Sequence, residues 1–169
     1  MNRNSTNVYA RSVVRVELPT TQDIAWEYIV NLKDCEEWLE SEETDGLAIL
    51  IQGTQYAGQL IPNPESGLPP IELAVTRSEY ANRIDFSAAA DPVAISPDSR
   101  KYFPFKAMDI SILIEPEGDS STIRTTTSMH TDGFLNWLIV KLLVLPFAKH
   151  STKKGYRRII KHLNNKNAR

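Results

Sequence analysis

From Leu47 to Thr131 apolar side chains recur at every second position, with no intervening stretch of helical spacing. A period of two held over roughly eighty residues commits this part of the chain to a sheet. Strands are expected at Leu47–Gln52, Thr54–Ile61, Pro70–Glu79, Arg83–Ala90, Tyr102–Glu115 and Ser121–Thr131. They are parted by Gly53, the Pro62 to Pro70 segment, Ala81 with Asn82, the Asp91 to Arg100 segment, and Glu117-Gly118-Asp119. A parallel return needs a helical crossover of about a dozen residues. None is present, so the strands must run mostly antiparallel.

A further strand precedes this block. Between Val8 and Leu18, Val8, Ala10, Ser12, Val14, Val16 and Leu18 share one face, and Tyr9, Arg11, Arg15 and Glu17 the other. Pro19, Thr20 and Thr21 end it. Helical spacing then runs through Ile24, Tyr28 and Leu32, breaks near Asp34 and resumes at Trp38 and Leu39, which predicts two short helices. After Asp132-Gly133, with Asp132 placed as N-cap, one last helix is expected to reach about Asn164, a length of about 45 Å. Pro146 should bend it by removing a hydrogen bond and crowding the preceding turn. Its first half, FLNWLIVKLLVLPF, is apolar on nearly every side, and its second half is amphipathic and basic. One sheet covers one face of a helix. The remaining apolar surface must meet loops, a second chain, a membrane or a bound apolar molecule.

At 169 residues the chain suits a single core, and one domain is expected over 1–169 with its ordered part at about 8–164. Its one cysteine, Cys35, excludes an internal disulfide and fits a reducing, cytoplasmic setting. The first residues, MNRNSTNVYARS, carry no apolar run and Phe134 to Phe147 is too short to span a bilayer, so neither export nor a membrane span is expected. Net charge is −2, but it is unevenly placed. Residues 149–169 hold eight Lys or Arg and no acid, whereas seven acids lie between Asp34 and Asp45. Either these segments are neighbours in the fold, or the basic segment makes peripheral contact with an anionic membrane. Nucleic acid is not expected as a partner, because the chain as a whole is acidic.

The element order resembles the START-like, or Bet v 1-like, helix-grip superfamily, and in particular its bacterial polyketide cyclase/dehydrase and lipid-transport branch. The local patterns that carry the resemblance are SVVRVELPTTQDIAWEYIVNLKDCEEWLE, LAILIQGTQYAGQLI, IELAVTRSEYANRIDFSAAA and DISILIEPEGDSSTIRTTTSMHTDG. It implies an α+β fold: a seven-stranded curved antiparallel sheet around a long C-terminal helix, with two short helices after the first strand. It also implies a hydrophobic small-molecule ligand (lipid, polyketide or quinone-like) held between sheet and helix. Only some members of the superfamily act on what they bind. The more apolar, proline-bearing final helix departs from the pattern.

Alternation selects the inward positions on the sheet as Tyr56, Ile84, Phe86, Met108, Ile110, Ile112, Ile123, Thr125, Thr127 and Met129. Across from them on the helix, Phe134, Leu138 and Leu142 are expected to face in, with Phe147 a further candidate. For any one of them core packing is the expected role, while as a set they can line a ligand pocket. Thr125 and Thr127 stand out because a buried hydroxyl needs a partner, which a ligand, a water or a neighbouring strand can supply. No catalytic constellation is assigned. His130 alternates outward, and His150 and His162 fall in the basic half of the helix. Cys35 has acidic neighbours that disfavour a thiolate. Arg77 and Glu79 form the one charged pair whose phase points inward, at a strand end where exposure is expected. No spacing marks a metal site, and no cofactor is implied.

Overall fold

The alternating block and the strand before it form, among the described residues, a seven-stranded antiparallel sheet in the computed structural model, which describes residues 7–31, 33, 34, 37, 48–52, 57–61, 71–90 and 105–168. Strands β1 (Asn7–Leu18), β2 (Ala48–Gln52), β3 (Ala57–Ile61), β4 (Ile71–Glu79), β5 (Arg83–Ala90), β6 (Ala107–Glu117) and β7 (Ser120–Asp132) lie in the order β1-β7-β6-β5-β4-β3-β2. Consecutive strands from β2 to β7 are neighbours, as short links require. β1 closes on β7 with Asn7 opposite Asp132 and Leu18 opposite Ser121. Strand β6 starts at Ala107 rather than Tyr102, and the segment from Tyr102 to Pro104 lies outside the described residues.

The β6–β7 hairpin turns on Gly118 and Asp119. Gly118 takes a φ of 64°, which a glycine at the first central position of a tight hairpin turn adopts without steric cost. On β1 the expected faces hold: Ala10, Val14 and Leu18 are buried, while Tyr9, Arg11, Val13, Arg15 and Glu17 are exposed. Helix α1 (Gln22–Ile29) follows, but its buried residues are Ala25, Trp26 and Tyr28, while Ile24 is exposed. The second short helix expected from Trp38 and Leu39 lies outside the described residues, as does Cys35. Gln22 Nε2 donates to the Ile114 carbonyl of β6 at 2.7 Å, and the Trp26 ring meets Tyr80 at 5.8 Å, so α1 is fixed over one end of the sheet.

Helix α2 spans Gly133–Asn167. Gly133 has a φ of 75°, the left-handed turn that lets an extended strand pass at once into a helix. Asp132 occupies the N-cap position without capping through its side chain. Its carboxylate pairs with Lys106 instead, and Asn136 Nδ2 donates to the Asp132 carbonyl at 3.1 Å. Ahead of Pro146 the helix widens into a π turn at Val140–Val144, with the Leu145 amide bonded to the Val140 carbonyl. Proline has no amide to give and its ring crowds the preceding turn, so the accommodation appears as this widened turn.

The far end of α2 meets the acidic segment. Lys166 pairs with Asp34, Tyr28 Oη donates to Asp34 Oδ2 at 2.9 Å, and His162 Nε2 lies 3.8 Å from carboxylate oxygens of both Asp34 and Glu37. For these residues the opposite charges are neighbours in the fold. The hydrogen bond from Lys166, then that from Tyr28, holds the Asp34 carboxyl below its ordinary value, and Asp34 raises the Lys166 ammonium. A depressed carboxyl stabilises the fold above its unfolded pKa, and that stabilisation is lost as pH falls through the folded value. Thermal melts in acid should therefore show Asp34→Asn with a shallower fall in Tm below about pH 4 than the parent protein. Parallel curves would remove Asp34 from the linkage.

Candidate ligand-binding site

Inside the sheet the buried apolar side chains of the described residues form two clusters. The larger joins Val14, Leu18, Trp26, Ile84, Ile114 and Ile123 to Tyr156, Ile159 and Leu163 of α2. The smaller joins Ala10 and Met129 to Val140 and Leu145, with Trp137 and Phe105 packed beside them. Met108 packs against both. On β7 the inward face reads Ser121, Ile123, Thr125, Thr127, Met129 and Thr131, all buried, so hydroxyls are interleaved with the apolar residues. Ser12 pairs with Thr127, and Val14 with Thr125, which places this hydroxyl-bearing layer across β1 and β7.

The hydroxyl layer contains a built contact. Thr125 Oγ1 and Tyr156 Oη share a buried hydrogen bond of 2.5 Å, in which either oxygen can donate. Burial pushes the Tyr156 phenol up to about 12, against the smaller opposing effect of Thr125. At neutral pH it is therefore protonated, a hydrogen-bonding group and a poor base. Ser121 Oγ is buried with no hydrogen-bond partner among the described residues.

Beside this pair the inner wall is only half covered. On β6, Ile114 is fully buried, whereas Ile112, Ile110 and Met108 in the same phase are half-buried, and so is Val75 on β4. Helix α2 packs on β1, and its first turns on β1 and β7, at one side of the sheet. On β5, between β4 and β6, Ile84 and Phe86 are buried, so the half-covered part of the wall is Met108, Ile110 and Ile112 of β6 with Val75 of β4. Apolar wall next to a buried hydroxyl pair is the chemistry of a site for an apolar molecule carrying a polar end.

The expected site residues divide as follows. Ile84, Phe86, Ile123, Thr125, Thr127 and Met129 are buried on the inner face, and Met108, Ile110 and Ile112 are half-buried there. Tyr56 lies outside the described residues. On α2 the expected phase is wrong: Leu138 is half-buried, but Phe134 is 71% exposed, Leu142 61% and Phe147 74%. The residues that do face the sheet are Val140 and Leu145, with Trp137, Val144 and Ala148 partly covered. In a run apolar on every side, periodicity carries no phase, and the π turn shifts the phase again within it.

Tyr156 was not among the expected site residues. Its signal was the spacing of Tyr156, Ile159 and Leu163, an inward stripe on the amphipathic half of the helix. Arg77 and Glu79 prove to be an exposed ion pair, since a register shift between Val75 and Arg77 breaks the strand's phase. His130 faces outward and meets Asp109 at 2.7 Å. Among the described residues no three His, Cys, Asp or Glu side chains gather as metal ligands.

No family model matches the chain, and no curated protein matches its sequence. Solved structures do match it in three dimensions. Ara h 8.0201 superposes with a TM-score of 0.64 at 10% identity, covering 94% of this chain and 99% of that one. Norcoclaurine synthase from Thalictrum flavum, in complex with dopamine and hydroxybenzaldehyde, gives 0.62 at 14% identity, covering 95% and 89%. The chain has the helix-grip fold of the START-like, Bet v 1-like superfamily. The Mll3558 protein from Rhizobium loti also shares this fold, with a TM-score of 0.59 at 12% identity over 92% of this chain and 98% of that one. At such identities the likeness concerns the fold.

Proposed function

We propose that this helix-grip chain binds a hydrophobic small molecule, a lipid, polyketide or quinone-like compound, between the inner face of β4 to β6 and α2, and carries it rather than transforming it. The observation that supports this reading is the buried Thr125–Tyr156 pair beside the half-covered wall of Met108, Ile110 and Ile112. The apolar body of a ligand would lie on the wall, and a carbonyl or hydroxyl would reach the pair. The norcoclaurine synthase of the same fold, solved with dopamine and hydroxybenzaldehyde, supports the choice of a small organic ligand. One cysteine in the chain suits the reducing cytoplasm as its setting.

Native mass spectrometry of protein purified without detergent tests the proposal. The expected result is a co-purified apolar molecule that is lost when Ile112→Trp fills the wall. Parent protein that remains ligand-free, also after incubation with lipid extract, would refute it.

The same pair favours one second reading, a cyclase or dehydratase-type enzyme. A neutral phenol can donate to an oxygen on which charge develops while the walls fold the substrate. Under that reading Tyr156→Phe lowers turnover by about 10-fold or more with ligand affinity nearly unchanged; under the carrier reading it weakens binding alone.

A further inference from the structure

The outward side of α2 is continuous and divided in two by chemistry. Its first half exposes Phe134, Leu135, Ile139, Leu142, Leu143 and Phe147, with Phe134, Leu135, Leu142, Leu143 and Phe147 each more than 60% exposed. Opposite them, Val140 and Leu145 are buried against the sheet. Leu143, Phe147, His150, Lys154, Arg157 and Lys161 follow one another at spacings of three and four, so the exposed apolar stripe runs directly into an exposed cationic one. From Gly133 to Arg169 there are nine Lys or Arg and no Asp or Glu.

We infer that this side of α2 docks on the surface of an anionic lipid bilayer, with the apolar stripe entering the headgroup and acyl boundary and the basic stripe lying on the headgroups. Charge selects the occupant. A second copy of the same face would set cations against cations, whereas an anionic bilayer offers apolar depth and negative charge together. By length and composition α2 could cross a membrane, with 11% of its apolar window buried. However, the run from Phe134 to Phe147 is about 21 Å long, short of the roughly 30 Å hydrocarbon core, and its other side is held by the sheet. It lies on the membrane rather than across it. Lys141, placed 4.6 Å over the Trp137 ring, flanks the stripe as a further cation for the interface. Such docking is independent of the inner wall: the outer side of α2 meets lipid whether or not a ligand is carried inside.

Sedimentation with vesicles of phosphatidylcholine, with and without phosphatidylglycerol, tests it. The full chain should bind the phosphatidylglycerol vesicles at least about 10-fold more tightly than phosphatidylcholine alone, and high salt should erase the difference. The double variant Leu142→Glu/Leu143→Glu should lose about 10-fold or more with an unchanged melting temperature, because both residues are exposed. Lys153→Gln/Lys154→Gln/Arg157→Gln should lose a similar factor on the anionic vesicles only. Binding that is absent, indifferent to lipid charge, or retained in the leucine variant would overturn the inference. So would a dimer of the full chain that the leucine variant dissociates, since a second copy would then cover the stripe. The inner-wall variant Ile112→Trp should leave vesicle binding unchanged, which keeps this outcome separate from that of the carrier reading.

Discussion

Trp26→Ala is expected to destabilise the protein by about 3–5 kcal/mol, the range for removing a large buried aromatic and leaving a cavity. Among the described residues Trp26 is the largest of the side chains that are almost wholly buried, at 2% exposure. It sits on α1, which packs on β6 and β7, against Tyr80 from the β4–β5 turn. Ala81 in that turn is itself buried and belongs to the same cluster. The loss would therefore open the closed end of the core rather than a rim. Ile24→Ala on the same helix, at 44% exposure, is the control and should stay within about 0.5 kcal/mol. Urea unfolding of the two variants checks the pair, and equal losses would mean that α1 is not seated through Trp26.

The second large effect separates the two sides of α2. Leu145→Ala should cost about 2–5 kcal/mol, whereas Leu142→Ala, the same deletion three residues earlier, should cost no more than about 0.5 kcal/mol. Leu145 is 5% exposed and packs with Ala10, Met129 and Val140, while Leu142 is 61% exposed. From the sequence alone Leu142 is the inward residue, so this pair discriminates between the helical phase that the residues suggest and the phase that the π turn sets. Equal costs in denaturant unfolding would restore the former.

These two helices show what the residues could and could not announce. The sheet was legible because β1 and β5 to β7 alternate cleanly: Ala10, Val14 and Leu18, or Ile123, Thr125, Thr127 and Met129, cannot change face without a register slip that would expose the whole set. The amphipathic end of α2 was legible in kind, and its inward stripe of Tyr156, Ile159 and Leu163 was there to be read. The apolar end was not. With Asn136 and Lys141 the only polar residues between Phe134 and Phe147, every rotation of that helix buries something apolar, and the choice fell to Gly133 and the widened turn before Pro146. In α1 the same ambiguity placed Ile24 inside, although Trp26, with far more apolar surface to bury, takes the inward position. The hydroxyl pair was half legible: Thr125 follows from strand alternation, but its partner lies 31 residues away on another element.

A methyl-resolved NMR titration with laurate tests whether an apolar ligand is held on the inner wall beside Thr125 and Tyr156. Saturable shifts are expected at Met108, Ile110, Ile112 and Met129, with the methyls of Leu142 and Leu143 unmoved below the concentration at which laurate self-associates. Shifts confined to Leu135, Leu142 and Leu143, with the inner methyls silent, would contradict it.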